Sequence, residues 1–515
     1  MLRFLTFFIF SCIHFCVFSQ EHLTVRPDNK WKTIDSLRKN ISSTPDSLSY
    51  HKAYLKAIGW VSGLYWHAEE FKSRFDSVEN EMMAQYEIWL KKFPRSATVH
   101  EALGTAYYES ESPKATAYLK KAVELNPKNA ELYLKLAIDA ERWGNQKAAE
   151  EFMRLASITD TENPAYSFYY AMYFDEKDLG VFDQKIHSLV NKFPGHERAA
   201  QGLYWLGNAY QDRQEKKRIY LELREKFPPE KSSWSSSGMY ALYDLYLFEK
   251  NYLAAIELAE SLKAKKEWSD YLSFANGLFK IQQLIVGQFY KQAYDSMVKL
   301  KSVRYSKFLS KTALLEAELA EKTGNTSAAY TKLVELVAKN PSDDLLEGLA
   351  TYSNKLKKDK DAVNEEIWAI RSKTTKPAYP FDLGLYTSKK NAKLSDYKGK
   401  VILLTFWFPG CGPCRAEFPH FENVVKKFKG KDLVYLGINV FPNQDSYVLP
   451  FLKGTKYSFI PLRATNPWAE KHYGVKGQPT NFLIGRDGNI VYSNFRTDQE
   501  NERSLELMIA SLLDK

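Results

Sequence analysis

The sequence predicts a multidomain chain, an all-α helical-repeat solenoid followed by a smaller α/β domain. Three observations carry that expectation. Prolines recur at 94, 127, 164, 194 and 228, at intervals of 33, 37, 30 and 34 residues, the period of stacked helix pairs. Beyond residue 378 the pattern changes: apolar β-branched runs such as Val401–Phe406 alternate with stretches of helical spacing, as in a sheet covered by helices. Between one such run and one such stretch lies Cys411-Gly412-Pro413-Cys414.

Composition bounds the class. A chain of 515 residues with 44% hydrophobic and 26% charged residues is globular, with room for about three domains. The net charge of +10 does not point to nucleic acid, because the lysines are scattered and no recognition motif accompanies them. The N-terminus explains itself differently. Met1-Leu2-Arg3 is a short basic start, Phe4 to Phe18 is apolar, and Val17-Phe18-Ser19 places small residues before Gln20. That is the layout of a cleavable export signal over 1–19, cut after Ser19. About 15 apolar residues interrupted by His14 fall short of a membrane span. A lipid anchor on Cys12 or Cys16 is the alternative, but neither follows the usual small-residue box. Export to the periplasm or cell envelope is therefore expected. Of four cysteines, only Cys411 and Cys414 remain in the mature chain. A large exported protein with a single close pair uses it for redox work rather than as a staple.

In chain order, residues 20–83 form an N-terminal helical segment with aromatic interleaving and no motif. The repeats occupy 84–345. Lys-Phe-Pro recurs at Lys92–Pro94, Lys192–Pro194 and Lys226–Pro228, and Asn-Pro at Asn126, Asn163 and Asn340. Gly144 and Ala149 in one unit match Gly324 and Ala329 in another. Small residues allow close helix packing, and each proline is expected to end the second helix of a pair. This segment resembles the tetratricopeptide-repeat family, most clearly over Ala97–Pro127 and Ala130–Asn163. The resemblance implies a curved solenoid whose concave face holds a peptide or protein partner. Residues 346–377 read as a linker with a partly helical stretch, expected to act as a hinge.

Residues 378–515 hold an extended lead-in (380–386), a strand over 401–406, a helix from the cysteine pair, and a strand over 433–440. A helix (445–452), strands at 480–484 and 489–493 joined by Arg486-Asp487-Gly488, and a helix over 500–513 complete the expected pattern. Cysteines at a strand-to-helix junction are chemically apt, since unpaired N–H groups at a helix start favour a thiolate. Glu417, three residues past Cys414, shares its helix face.

Phe406-Trp407, the Cys-Gly-Pro-Cys motif, Arg415 to Pro419, Tyr473-Gly474-Val475, Gly477 to Thr480, Phe482 to Ile484 and Asp487-Gly488 together resemble the TlpA/ResA-like thioredoxin family. The resemblance implies a thioredoxin fold and a thiol–disulfide oxidoreductase with no cofactor beyond the Cys411–Cys414 dithiol. It makes Cys411 the attacking sulfur, which is also expected to be the more exposed, and Cys414 the resolving one. Glu417 becomes the proton carrier, and Pro419 the proline that kinks the helix. Trp407, Gly410, Gln478 and Pro479 are the client-binding candidates, Pro479 through a cis peptide bond beside the disulfide. Two positions depart from the pattern. Gly410 stands where the family usually has tryptophan, and Thr405 where thioredoxin keeps a buried aspartate. The partners implied are protein disulfide clients and a membrane or periplasmic electron donor, with cytochrome c maturation or general disulfide reduction as the pathways admitted. A structural zinc site would need a second ligand pair, which His420 and His472 do not supply at the right spacing. A peroxiredoxin motif would need proline at 404 and threonine at 408, where Leu404 and Phe408 stand. A repeat-based interaction protein with incidental redox activity is the contrasting class.

Overall fold

The computed structural model describes residues 27–66, 72–175, 177–303 and 308–515; the expected export signal lies outside them. From Pro27 to Ser372 the chain is a succession of helices. Antiparallel pairs recur as Ala97–Glu109 with Ala115–Leu125, Ala130–Arg142 with Gln146–Thr159, Glu197–Ala209 with Arg213–Lys226, and Leu309–Lys322 with Thr326–Lys339. The stretch between 230 and 305, where the repeat pattern fades, also folds as two pairs, Ser233–Phe248 with Tyr252–Ser261 and Trp268–Val286 with Tyr290–Lys299. Side chains of Ser96, Asn129, Asn145 and Asp212 cap these helices by accepting from backbone N–H groups, which satisfies donors the helix itself cannot. Pro94, Pro127, Pro194, Pro228 and Pro341 follow helix ends, as expected. Pro164 does not: it opens the helix Pro164–Ala171 behind the Asn163 cap, a first-turn position where a missing N–H costs nothing. The core is a series of neighbouring apolar clusters rather than one centre, as a stacked array requires.

Residues 346–377, read as a linker, fold mainly into the end of one helix, Asp343–Lys355, and another, Lys360–Ser372. Leu349 and Ile367 join the cluster of Leu333 and Val337, so the helical stack runs on to the last domain.

That domain carries a six-stranded sheet. Its strands are β1 (Lys376–Pro377), β4 (Val401–Trp407), β5 (Leu433–Asn439), β6 (Ile460–Arg463), β7 (Thr480–Ile484) and β8 (Asn489–Ser493), in the order β1-β8-β7-β4-β5-β6. A separate hairpin pairs β2 (Asp382–Gly384) with β3 (Asn391–Lys393). Strands β4, β5 and β6 run parallel, while β7 and β8 are antiparallel to their neighbours. Every residue of the central strand β4 is buried. Leu403 and Trp407 face the helices Gly412–Lys427 and Glu502–Leu513, whereas Leu404 and Phe406 face Phe381 and Ala469, the period-two alternation of a strand covered on both sides. Strand β6 and the helix Asn466–Tyr473 were not foreseen. Pro461 argues against a strand, yet β6 lies at the sheet edge, where a proline is tolerated.

The solenoid contacts this domain near its start, middle and end. Tyr447 Oη donates to the buried Asp139 at 2.7 Å, and Trp143 meets the Tyr447 ring edge-on at 4.6 Å. Gly144 has φ +70°, and a Cβ there would lie 2.7 Å from the Phe451 carbonyl oxygen. Its backbone thus docks directly onto the helix Asp445–Thr455. Lys216 pairs with Glu500 at 2.7 Å, and Arg503 clasps Asp343 at 2.8–3.1 Å. Buried Arg371 donates both to the Ala338 carbonyl and to Ser511 Oγ. The helical array therefore contacts the α/β domain at several points along its length.

Candidate active site

Strand β4 delivers the chain to Phe408-Pro409-Gly410, and the helix Gly412–Lys427 begins at once. Cys411 is that helix's N-cap, with its Sγ accepting from the Cys414 N–H at 3.2 Å. An anionic sulfur here meets the positive end of the helix dipole. The two cysteines form a disulfide with Cα atoms 5.3 Å apart. Cys411 is the more exposed of the two, as expected, but by little. It is 3% exposed and Cys414 0%, because both sulfurs pack in the same apolar cluster as Trp407 and Phe418.

Glu417 lies on the buried side of this helix. Its carboxylate accepts from Asn481 Nδ2 at 2.9 Å and from the Thr497 N–H at 3.0 Å. Arg496 stands 3.7 Å away. Burial outweighs these contacts and raises its pKa to about 7, so the carboxyl changes protonation in the neutral range. Asn481 and Thr497 are the partners sequence reasoning missed. Asn481 sits opposite Thr405 in the β4–β7 ladder, so the position of thioredoxin's aspartate faces the residue that holds Glu417. A polar residue inside the apolar run Thr480–Ile484 was the available signal. Pro419 lies within the helix.

The client-binding candidates separate. The Gln478–Pro479 peptide bond is cis, and Thr480 pairs with Phe406, which brings Pro479 to the end of the sheet that bears Cys411. Gln478 Nε2 donates to Asn466 Oδ1 at 2.8 Å. Beside it a depression of about 370 Å³ is lined by Asn466, Glu470, Val475, Lys476 and Gln478. Trp407 is not at the surface. It is wholly buried, with Phe459 and Phe418 at ring distances of 4.9 and 5.4 Å. The central strand carries it into the core, away from the surface that a client could reach. Gly410 is held rather than loose. Its N–H donates to Gln444 Oε1 at 2.6 Å, and a Cβ would meet the Gln444 amide at 2.9–3.0 Å. The buried Gln444 occupies the space a tryptophan would need.

The Redoxin family model matches residues 373–509. The thiol-disulfide oxidoreductase ResA of Bacillus subtilis is 35% identical over 105 residues, 20% of this chain and 58% of its own length. ResA of Bacillus thuringiensis is 30% identical over 119 residues, 23% of this chain and 68% of its own. The thioredoxin-like protein YneN of Bacillus subtilis is 30% identical over 131 residues, 24% and 76% respectively. The chain belongs to the ResA-like thioredoxin family. The ResA-like part is its last quarter, and the chain spans 58% of the first relative's length. Among solved structures, a putative thiol:disulfide interchange protein DsbE from Chlorobium tepidum is similar at 31% identity, covering 26% of this chain and 95% of its own, TM-score 0.24. A putative thiol-disulfide oxidoreductase from Bacteroides vulgatus is similar at 30%, covering 27% and 94%, TM-score 0.24. Within this ResA-like domain the elements that bear Cys411, Cys414, Glu417 and Pro479 meet at one end of the sheet, while Trp407 belongs to the core.

Proposed function

We propose that this chain is an exported thiol–disulfide oxidoreductase that reduces protein disulfides through Cys411 and Cys414. The observation that carries the reading is a disulfide pair at the start of a helix, Cys411 as its N-cap, with Glu417 buried on that same helix. In the reduced enzyme the Cys411 thiolate attacks a client disulfide. A Cys411–client bond forms and one client sulfur leaves as a thiolate. Cys414 then loses its proton, with Glu417 as acceptor, and attacks Cys411. The client leaves as a dithiol, two electrons richer, and the enzyme keeps the disulfide. Gln478 and cis-Pro479 supply an extended edge for the client, next to the depression at Asn466 and Glu470. A periplasmic or membrane donor restores the dithiol. The helical arm, read as tetratricopeptide-like, presents the domain to its partners. The N-terminal signal motif supports export, and no helix among the described residues is long and apolar enough to cross a membrane.

Insulin reduction by the full chain tests this reading. Wild type is expected to turn over and Cys411→Ser to fall to background; equal rates would remove the enzymatic assignment. Because the dipeptide between the cysteines resembles thioredoxin's, the reduction potential is expected nearer about −270 mV than the oxidant end near about −120 mV. A value above about −180 mV would reassign the protein as an oxidase or isomerase.

A further inference from the structure

Both residues that flank the Cys-Gly-Pro-Cys motif are held from the solenoid. After Cys414, Arg415 Nη2 donates to Glu141 Oε2 at 2.7 Å, and Tyr173 Oη donates to the other oxygen of Glu141 at 2.6 Å. Burial, together with Glu141, keeps the Tyr173 hydroxyl protonated far above its usual range, so it remains a donor. Arg415 Nη1 is buried without a hydrogen-bond partner, which leaves Glu141 as the anion that compensates the guanidinium. Before Cys411, the Gly410 N–H is fixed by Gln444, whose Nε2 donates to Glu111 Oε2. Glu111 faces Arg142 at 3.5 Å. Glu111 follows the helix Ala97–Glu109 and Glu141 lies in the helix Ala130–Arg142, so two neighbouring repeats of the solenoid reach the two flanks of one redox motif, Glu141 directly and Glu111 through Gln444.

We infer that Glu111 and Glu141 are positioning residues of the redox centre and set the reactivity of its thiols. This rests on the reductase reading above. An arginine one residue beyond Cys414, at the positive end of a helix, would stabilise the Cys411 thiolate and with it the reduced enzyme. Glu141 draws that guanidinium aside and cancels its charge in a half-buried setting where screening is weak. On the other flank Glu111 likewise offsets the charge of buried Arg142 and orients the amide that fixes Gly410. Both therefore disfavour the thiolate and hold the enzyme toward the reducing end. Substituents on a separate fold thus control the sulfurs without touching a client.

The test is the equilibrium of the full chain with glutathione, in which the enzyme dithiol and oxidised glutathione exchange to the enzyme disulfide and two reduced glutathiones. Glu141→Gln and Glu111→Gln should each shift it at least threefold toward the dithiol, about 14 mV more oxidising. Each should also lower the pH midpoint of Cys411 alkylation by iodoacetamide. Glu141→Asp should recover part of the wild-type value. Asp343→Asn, which breaks the Arg503 clasp far from the motif, should leave both readouts unchanged. Shifts under threefold in both Gln variants, shifts toward the disulfide, or an equal shift in Asp343→Asn would overturn the inference. If wild type itself fails to equilibrate with glutathione, it is the reductase reading that falls.

Discussion

At the residue scale, Glu417 couples the redox centre to pH. Its ordinary pKa of 4.5 is raised to about 7, so the folded protein holds a proton that the unfolded chain has lost. Stability is then full below about pH 4.5 and declines as pH rises through 7, because the native state binds more protons than the unfolded one. Denaturant titrations of the oxidised chain should show wild type losing roughly 3 kcal/mol between pH 4.5 and 8. Glu417→Gln should lack that slope, whereas parallel profiles for the two would refute a raised pKa. The same carboxyl should place an inflection near pH 7 in the rate of client release, and the glutamine variant should flatten it. Its face and spacing were legible in the sequence, since position i+3 on a helix is fixed by geometry. Its partners were not. Asn481 and Thr497 come from segments 64 and 80 residues away, and no local pattern encodes that meeting. The tryptophan-to-glycine departure at Gly410 was visible, but its cause, the side chain of Gln444, lies 34 residues on.

At the element scale, two glycines with the same place in the repeat serve different ends. Gly144 and Gly324 both end a helix with positive φ, +70° and +83°, which explains their shared spacing in sequence. Only Gly144 has a neighbour: a Cβ there would strike the Phe451 backbone, while nothing lies within 4 Å of Gly324. Gly324→Ala should cost about 1 kcal/mol of backbone strain. Gly144→Ala should cost roughly 1–3 kcal/mol more through overpacking. Hydrogen exchange should localise that excess to the helix Asp445–Thr455, and equal, local effects at both glycines would contradict the docking contact. Long amphipathic helices, the β4 run and the Asp487-Gly488 hairpin were readable because each carries a local period or turn signal. The helix Asn466–Tyr473 and β6 were hidden by prolines that look like breakers but sit at a first turn and a sheet edge.

At the scale of the molecule, the helical array and the redox domain form one unit, where a hinge was expected from a lysine-rich stretch. Composition marks a solvated surface there, and solvated helices share it with linkers. Ion pairs such as Lys216–Glu500 and Arg503–Asp343 are partly exposed and contribute little each, whereas Tyr447, Asp139 and Gly144 are buried where the two parts meet. Docking should therefore survive salt. Small-angle scattering is expected to give the same radius of gyration at about 0.15 and 1 M NaCl, conditions that differ more than twofold in Debye length; expansion at high salt would show a purely electrostatic clasp. Catalysis in this scheme is exchange at Cys411 resolved by Cys414. Reduced full-length Cys414→Ser, mixed with a disulfide-bonded protein, should accumulate a mixed disulfide that peptide mass mapping places on Cys411 and that dithiothreitol releases. No adduct, or the same adduct yield when Cys411 is also replaced by serine, would contradict it.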